Sequence, residues 1–339
     1  MRRIFFAILT VLLFIAVAGY SYTYVGGQRI KNLKVLSPII KETGSSNLDV
    51  FNIDTSPKSE LNNSDVISVL LLGIDRRSKF EFGYRTDTMI NLIFNKKTNV
   101  ALLVSVPRDL WSGYGRINAT FIESGWEGLA DSFGEITGIT PTKFVLTDFE
   151  DFSWVVDAMG GVPVDVVTTF TDSSYPVDAT KGYQTVSFIQ GREVLTGERA
   201  LIYARSRKGN NGEGSDWMRM KRQHNILKGM LDAVAQPKSL FNPMNVEKAL
   251  TMATQNRMDT NINVLDAEFL WDLYKDRDKY TIESVILDED FIFNPPMEDY
   301  GGAWVLVSRT GGYLNFHTKI SNLLNGIENT EIKTVVINN

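Results

Sequence analysis

Nine of the 17 arginines in this chain of 339 residues fall in two short windows. Residues 75–118 hold five of them and residues 203–223 hold four. The nine are Arg76, Arg77, Arg85, Arg108, Arg116, Arg205, Arg207, Arg219 and Arg222. Guanidinium groups bind phosphate oxygens through paired hydrogen bonds, so converging arginines are typical of phosphate sites. The clustering therefore predicts a site for a phosphate or pyrophosphate ligand.

Acidic residues are interleaved with these arginines. They are Asp75, Asp87, Asp109 and Asp216. Any one pair is explained by a structural salt bridge, but four acids cannot neutralise nine converging arginines. A ligand with several negative charges would complete the balance. Carboxylates beside a phosphate also suit Mg²⁺, which prefers oxygen ligands and keeps several waters.

The second window combines a predicted strand with a predicted helix. Arg205 and Arg207 are two residues apart, which on a strand places both side chains on one face. Arg219 and Gln223 are four apart, so on a helix they share a face. We expect this pair near the helix N-terminus, where anions are also attracted. The Gly- and Asn-rich stretch 208–215 predicts a mobile loop over the site.

Composition and missing motifs exclude several classes of protein. The chain has no cysteine, two histidines and a net charge of −5, with 43% hydrophobic and 22% charged residues. The lack of cysteine excludes a disulfide scaffold and a thiol nucleophile, and the two histidines argue against a His-rich metal site. The acidic balance argues against a nucleic-acid partner. The sequence also lacks a GxxxxGK[ST] phosphate loop, a GxGxxG fingerprint and a GxSxG elbow.

The elements that must position these residues alternate between strand and helix patterns. Short apolar runs predict buried strands at 67–72, 89–94 and 100–106. Helical patterns occupy 126–137, 148–159, 192–197 and 216–234. Such alternation is typical of an α/β fold, in which helices sandwich a central sheet that is mainly parallel or mixed. The arginines then lie beyond strand ends, where ligands bind in such sheets.

The N-terminus predicts a membrane anchor. Residues 4–25 carry no charge and are long enough to span a bilayer, while Arg2 and Arg3 favour a cytoplasmic N-terminus. A cleaved signal peptide ending at Ala18 is the alternative. Either interpretation places the rest of the chain outside the cytoplasmic membrane. We expect an anchor at 1–25, a stalk at 26–64, a catalytic domain at 65–330 and a tail at 331–339.

Seven sequence stretches resemble motifs of the LytR-CpsA-Psr family of bacterial cell-wall proteins, in the family's order and over about residues 65–330. They are LLGIDRR at 71–77, YRTDTM at 84–89, SVPRDLW at 105–111, RINATF at 116–121, DAMGGVPVDV at 157–166, LTGERALIYARSR at 195–207 and SDWMRMKRQ at 215–223. Each motif alone is weak, but seven in order are specific.

The resemblance implies a phosphotransferase that moves a glycopolymer, such as teichoic acid or capsular polysaccharide, from a polyprenyl-pyrophosphate carrier to peptidoglycan. It implies Mg²⁺, with Mn²⁺ as an alternative ion, held by Asp75 and Asp87. The pyrophosphate ligands that it implies are Arg85, Arg108, Arg205, Arg207 and Arg219, with Gln223 and Arg222 in support. Asp109, Arg116 and Asn118 also match motif positions, and we expect Asp75, Asp87, Arg108 and Asp109 to be catalytic.

Two other functions stay open at this point. One is a lipid pyrophosphatase, whose acceptor is water instead of a glycan. The other is a non-enzymatic membrane regulator of the cell envelope, against which stand the net charge and the very short cytoplasmic segment. We expect a monomer with a membrane, a lipid-linked glycopolymer and peptidoglycan as partners, and no nucleic acid.

Overall fold

A computed structural model describes residues 64–74, 85–113, 115–178, 182–234, 259–262 and 279–327, and single positions between 266 and 276. Fourteen strands and five α-helices lie in these ranges. The strands are β1 (Val66–Ile74), β2 (Thr86–Asn95), β3 (Val100–Ser105), β4 (Trp111–Ser112), β5 (Gly115–Arg116), β6 (Lys143–Asp148), β7 (Val162–Val166), β8 (Phe170–Asp178), β9 (Gly182–Phe188), β10 (Gly191–Leu195), β11 (Asp259–Thr260), β12 (Thr281–Ile286), β13 (Ile292–Phe293) and β14 (Val307–Ser308). The helices are α1 (Ile117–Thr137), α2 (Phe149–Ala158), α3 (Gly197–Arg205), α4 (Asp216–Val234) and α5 (Leu314–Leu324), with a 3₁₀ helix at Met297–Tyr300.

The central sheet has six strands in the order β11-β6-β1-β2-β3-β12. It is mixed: β1 and β2, β2 and β3, and β6 and β11 pair antiparallel, whereas β1 and β6, and β3 and β12, pair parallel. The expectation of a mixed sheet with helices is confirmed, and that of a mainly parallel one is wrong. Central strands are buried on both faces in either direction, so their apolar runs carry no information about direction. A four-residue turn at 96–99 reverses the chain between β2 and β3.

The main hydrophobic core covers one face of this sheet. Leu70, Leu72 and Leu102 from the strands pack with Phe133 of α1 and Phe316 of α5, and all five are almost completely buried. Each such side chain contributes roughly 1.5–3 kcal/mol by leaving water. This core makes the sheet a rigid base for the residues at its edge.

A second core joins α2, α3 and α4 to β7–β10. Phe170, Phe188 and Tyr203 meet there with ring centroids 4.9–6.1 Å apart. The helix expected at 192–197 is wrong, because β10 pairs with β7 there and α3 starts only at Gly197. Thr196 caps that helix by accepting a hydrogen bond from the Arg199 amide at 3.4 Å.

Among the described residues, no helix has the length and apolar character needed to cross a bilayer. The predicted anchor at 4–25 lies outside those residues, as do nearly all of the stalk and the whole tail.

Candidate functional site

The site lies at one end of the strands of the central sheet, where β1 and β3 end and β2 begins. Ile74, the last residue of β1, pairs with Thr86, and the amide of Val106, just after β3, donates to Met89 of β2 at 3.3 Å. Because β2 runs antiparallel to β1 and β3, the first residues of β2 lie at the same end of the sheet as the last residues of β1 and β3. Asp87 therefore reaches this end of the sheet from the start of a strand.

The segment after β3 returns to Asp87. The Arg108 Nη1 donates to the Asp87 Oδ2 at 2.7 Å, and the Arg108 Nε lies 3.3 Å from the Asp109 Oδ2. The Asn118 amide, in the first turn of α1, donates to the Arg108 carbonyl at 3.2 Å, and its own carbonyl accepts from the Thr86 hydroxyl at 3.2 Å. Strand, loop and helix are thus joined around one ion pair.

A second group of charges comes from the loop after α3 and from the first turn of α4. The Arg207 Nη2 lies 3.8 Å from the Asp87 Oδ2, and its Nε lies 3.7 Å from the Asp216 Oδ1. The Arg219 Nη2 donates to the Asp216 Oδ2 at 2.9 Å. Asp216 opens α4, and the hydroxyl of Ser215 caps that helix by accepting from the Met218 amide at 3.2 Å.

These contacts define one group of side chains, called here the charge cluster. Its members are Asp87, Arg108, Asp109, Arg116, Arg207, Asp216 and Arg219. Arg116 joins it at 4.0 Å from the Asp109 Oδ1. Four cations face three anions, so the cluster carries an excess positive charge that suits an anionic ligand.

Burial and neighbouring charges act differently on the arginines. Burial lowers the pKa of Arg219 to about 10, and repulsion from Arg207 and Arg108 adds to this against the attraction of Asp216. Burial and the charge of Arg108 also lower the pKa of Arg207. For Arg108, burial acts in the same direction, but Asp87, Asp109 and Asp216 together outweigh it and raise the pKa. Arg207 and Arg219 are thus held as cations against unfavourable surroundings, which a bound anion would relieve.

Part of the hydrogen-bonding capacity of the cluster is unused. Among the described residues, the buried Nε of Arg219 and the side-chain oxygen of Asn118 have no hydrogen-bond partner, and the buried Nε of Arg108 has only its ion-pair contact with Asp109 at 3.3 Å. The side chain of Arg219 is only 4% exposed. An unused donor at such depth costs about 1–3 kcal/mol, and a ligand that accepts from it recovers that energy.

Arg205 differs from Arg207, so the expectation that a strand presents both on one face is wrong. Arg205 is the last residue of α3, where its guanidinium lies 4.0 Å from the centroid of the Phe149 ring and donates to the Tyr175 hydroxyl at 3.3 Å. Arg207 lies two residues beyond the helix, in the loop that leads to α4. The chain turns at Ser206, and the two side chains take separate environments.

Arg222 and Gln223 bind their own chain. The Arg222 Nη1 donates to the Glu213 Oε2 at 2.5 Å, its Nε donates to the Tyr203 carbonyl at 3.1 Å, and its Nη2 donates to the Ser206 carbonyl. Its side chain is 2% exposed. Gln223 donates to the Ala204 carbonyl at 3.4 Å. Arg222 therefore holds the loop that carries Arg207, and its donors are occupied without a ligand.

Asp172, which was not predicted, positions the same loop. Its Oδ2 accepts from the Ser206 hydroxyl at 2.7 Å and from the amides of Arg207 and Lys208 at 3.2 and 3.1 Å. Burial would raise the pKa of this carboxyl, but these hydrogen bonds lower it. The stretch 208–215 is hydrogen-bonded to β8 through Asp172 and through the bond from the Asn210 amide to the Thr171 carbonyl at 3.0 Å, and its mobility stays a prediction. No local motif marks Asp172, because it is 34 residues from Ser206 in sequence.

Two further predicted ligands, Asp75 and Arg85, come before β2 in the sequence. Arg85 is exposed immediately before β2, and Asp75 lies outside the described residues. Within the described part of the chain, no group of three or more His, Cys, Asp or Glu side chains could hold a metal ion. Asp87 offers a carboxylate, the kind of oxygen ligand that Mg²⁺ accepts singly when substrate phosphates complete its shell.

Comparison with known proteins places the chain among cell-wall proteins. TagU of Bacillus subtilis (strain 168), a polyisoprenyl-teichoic acid–peptidoglycan teichoic acid transferase, is 29% identical over 235 residues, or 66% of this chain and 70% of TagU. TagU of Bacillus anthracis (strain CDC 684 / NRRL 3495), which bears the same full name, is 26% identical over 269 residues, or 77% of this chain and 80% of its own.

Solved structures share the fold. Protein gbs0355 from Streptococcus agalactiae superposes with a TM-score of 0.59 at 23% identity, over 78% of this chain and 90% of its own. A structure of TagT bound to LIIa-WTA superposes with a TM-score of 0.56 at 24% identity, over 79% of this chain and 94% of TagT. The family model for LytR_cpsA_psr matches residues 31–319. The chain therefore belongs to the LytR_cpsA_psr family.

Proposed function

We propose that this protein transfers a glycopolymer from a polyprenyl-pyrophosphate carrier to peptidoglycan and leaves a phosphodiester bond. The convergence of Arg108, Arg207 and Arg219 from three elements on two aspartates carries the proposal. The names of the TagU relatives supply the reaction class. A pyrophosphate has enough acceptor oxygens for the unused guanidinium donors of the cluster.

The arginines have two tasks in this reaction. They hold the pyrophosphate in place, and they stabilise the negative charge that develops on the leaving polyprenyl phosphate. Arg219 and Arg207 suit the second task, because burial and like charge already disfavour their cationic forms in the free protein. Charge that grows in the transition state then interacts with donors that are already oriented.

The bond changes follow from the products. A sugar hydroxyl of the glycan attacks the sugar-proximal phosphorus, a new P–O bond forms, and the bond from that phosphorus to the bridging oxygen breaks. Polyprenyl phosphate leaves with the bridging oxygen, and an aspartate accepts the hydroxyl proton. Asp75 and Asp87 are the aspartates proposed for this proton transfer. Asp109 would keep Arg108 and Arg116 in position from its distances of 3.3 and 4.0 Å.

A divalent ion is part of the proposal. Asp87 and Asp75 are the residues proposed to hold Mg²⁺, or Mn²⁺ in its place. Ile74, which precedes Asp75 in the chain, pairs with Thr86, which precedes Asp87. When bound, the ion would neutralise charge on the pyrophosphate oxygens.

We also propose that residues 4–25 anchor the protein in the cytoplasmic membrane, with the catalytic domain outside. The uncharged run and the arginine pair before it support this topology. A reporter enzyme fused after Asn339 should be active only in its periplasmic or extracellular form. Activity of a cytoplasmic reporter alone would contradict the anchor.

Product analysis tests the transferase proposal. Purified protein, lipid-linked donor and Mg²⁺ are incubated with and without peptidoglycan, and the expected product with peptidoglycan is phosphodiester-linked polymer together with free polyprenyl phosphate. Asp87→Ala should abolish Mg²⁺-dependent turnover and leave the fold intact. Asp65→Ala is a matched control, since Asp65 lies just before β1 at its other end and pairs with the exposed Lys97 at 2.6 Å. Products of hydrolysis alone, even with peptidoglycan present, would favour the pyrophosphatase alternative.

A further inference from the structure

A group of exposed aromatic side chains lies beside the charge cluster and takes no part in it. Trp111 is 38% exposed and Trp304 is 44% exposed. The Trp111 ring meets the Tyr300 ring edge-to-face, with centroids 5.2 Å apart. Met297, 46% exposed, begins the 3₁₀ helix that ends at Tyr300. Exposed apolar side chains that lie together, as Trp111 and Tyr300 do, are typical of a binding surface.

Backbone hydrogen bonds connect this surface directly to the site. The Leu306 amide donates to the Asp109 carbonyl at 2.9 Å, and the Trp111 amide donates to the Leu306 carbonyl at 2.8 Å. Trp304 is two residues before Leu306, and Trp111 pairs with Arg116 of the cluster across the β4–β5 hairpin. Trp111 is two residues from Asp109, so their Cα atoms are within about 7 Å of each other. A ligand that covers the aromatic rings would therefore end close to the charge cluster.

We propose that Trp111, Tyr300 and Trp304 form a platform that binds the sugar backbone of the acceptor glycan. The proposal rests on the proposed function, which requires a glycan hydroxyl at the charge cluster. A pyranose ring presents C–H groups on its faces and hydroxyls at its rim. The electron-rich faces of Trp and Tyr attract such C–H groups, and these side chains bury a large area with little loss of conformational freedom.

The charge around the platform selects between its conceivable ligands. Residues 288–304 contain five acidic residues and no basic residue. Glu289, Asp290, Glu298 and Asp299 among them are exposed. Glu298 and Asp299, next to Tyr300 in the 3₁₀ helix, make the Tyr300 side of the platform unfavourable for a polyanionic donor polymer and for an anionic bilayer, whereas Arg116 lies on the side of the charge cluster. Surfaces that bind bilayers combine aromatic with basic residues. A neutral sugar backbone is not repelled, and carboxylates accept hydrogen bonds from its hydroxyls.

The test uses a soluble, neutral probe, the hexasaccharide of β-1,4-linked N-acetylglucosamine. It is titrated into wild-type protein and into Trp304→Ala and Trp111→Ala, with calorimetric detection. We expect each variant to bind about tenfold more weakly, on the order of one aromatic contact. Trp304→Phe should recover most of the affinity. Tyr183→Ala is the matched control, because Tyr183 is a 70% exposed aromatic residue on the β8–β9 hairpin and should leave binding unchanged.

Two further measurements separate the outcomes. Melting temperatures verify that each variant folds. In the transfer assay, Trp304→Ala should raise the KM for peptidoglycan and leave the hydrolysis of the donor in water unchanged. If wild type binds the hexasaccharide through Trp304 and Trp111 but transfers nothing, the proposed function fails and the platform stands.

Three results would overturn the platform. The first is no measurable hexasaccharide binding by wild type. The second is equal binding and equal KM in wild type and both tryptophan variants. The third is tryptophan-dependent flotation with phosphatidylglycerol vesicles while hexasaccharide binding is independent of both tryptophans, which would assign the surface to a membrane.

Discussion

Arg219 and Arg222 lie three residues apart on α4 and are both almost fully buried, yet they have opposite relations to their surroundings. Arg222 is 2% exposed and donates to Glu213 and to three backbone carbonyls. Arg219 is 4% exposed, donates to Asp216, and has a buried Nε without a hydrogen-bond partner among the described residues. Arg222 thus makes a structural contact that uses its donors, whereas Arg219 belongs to the charge cluster and keeps an unused donor.

Two arginines that are almost equally buried therefore differ in whether the folded chain uses all of their donors. A structural arginine uses its donors on the folded chain, and the desolvation of its charge is compensated there. An arginine that binds a ligand keeps donors without a partner until the ligand is bound. The free-energy cost of these unused donors is offset by the rest of the fold, here by the core beneath the central sheet.

The largest expected effect is the loss of stability when the Arg222 contact is removed. Arg222→Ala should lower the free energy of unfolding by about 3–5 kcal/mol, because it leaves Glu213 charged, buried and unpaired. Urea unfolding of wild type and variant measures this change. A variant that unfolds within about 1 kcal/mol of wild type but fails to bind a pyrophosphate lipid would return Arg222 to the ligand set, as the resemblance implied.

In the charge cluster, the same type of substitution should weaken ligand binding and leave the stability of the fold unchanged. Arg207→Ala should weaken binding of a polyprenyl-pyrophosphate sugar by about 2–5 kcal/mol. Its melting temperature should equal or slightly exceed that of wild type, because burial and Arg108 already disfavour the Arg207 cation. A melt and a ligand titration check the two parts. A large loss of stability with unchanged binding would place the site elsewhere.

His224, which also lies on α4, predicts that stability depends on pH. The Nε2 of His224 lies 2.5 Å from the Ser105 hydroxyl, and burial lowers the pKa of this histidine to about 4. The histidine pKa is about 6.5 in the unfolded chain, so between about pH 4 and 6.5 the unfolded chain binds more protons than the folded one. The contribution of His224 to the free energy of unfolding is therefore fully present above about pH 6.5 and decreases as the pH falls. The loss should total about 3 kcal/mol by pH 4.

Urea unfolding of wild type and His224→Gln at several pH values isolates this contribution, since other groups titrate alike in both proteins. The difference between the two should shrink as the pH falls from 7 to 4. A difference that is constant with pH would show that His224 does not titrate in the folded state as its burial predicts.

The smallest effect is expected at an exposed ion pair. The Arg192 Nη1 lies 3.7 Å from the Asp165 Oδ2, with 60% and 71% of the side chains exposed. Arg192→Ala should change the free energy of unfolding by less than about 1 kcal/mol, because water screens such pairs. It should not change ligand binding. An effect as large as that of Arg222→Ala would contradict the link between burial and energy on which the comparison depends.

The sequence by itself determined the family, the charges that meet in the cluster and the positions of three strands of the central sheet. Arg108, Arg207 and Asp87 stand in ordered motifs, and their charges follow from residue type alone. The apolar runs at 67–72, 89–94 and 100–106 lie within β1, β2 and β3, extended by one residue at Val106. These properties are local, so a linear pattern contains them.

Only the tertiary structure decided the directions of the strands and the roles of individual arginines. Strand direction depends on how the chain turns between buried runs that look alike. The difference between Arg219 and Arg222 depends on Asp216, Glu213 and carbonyl groups brought together by folding. Asp172 reaches Arg207 across 35 residues of sequence. Hydrogen-bond partners are fixed by distances in space, and no pattern along the chain reports them.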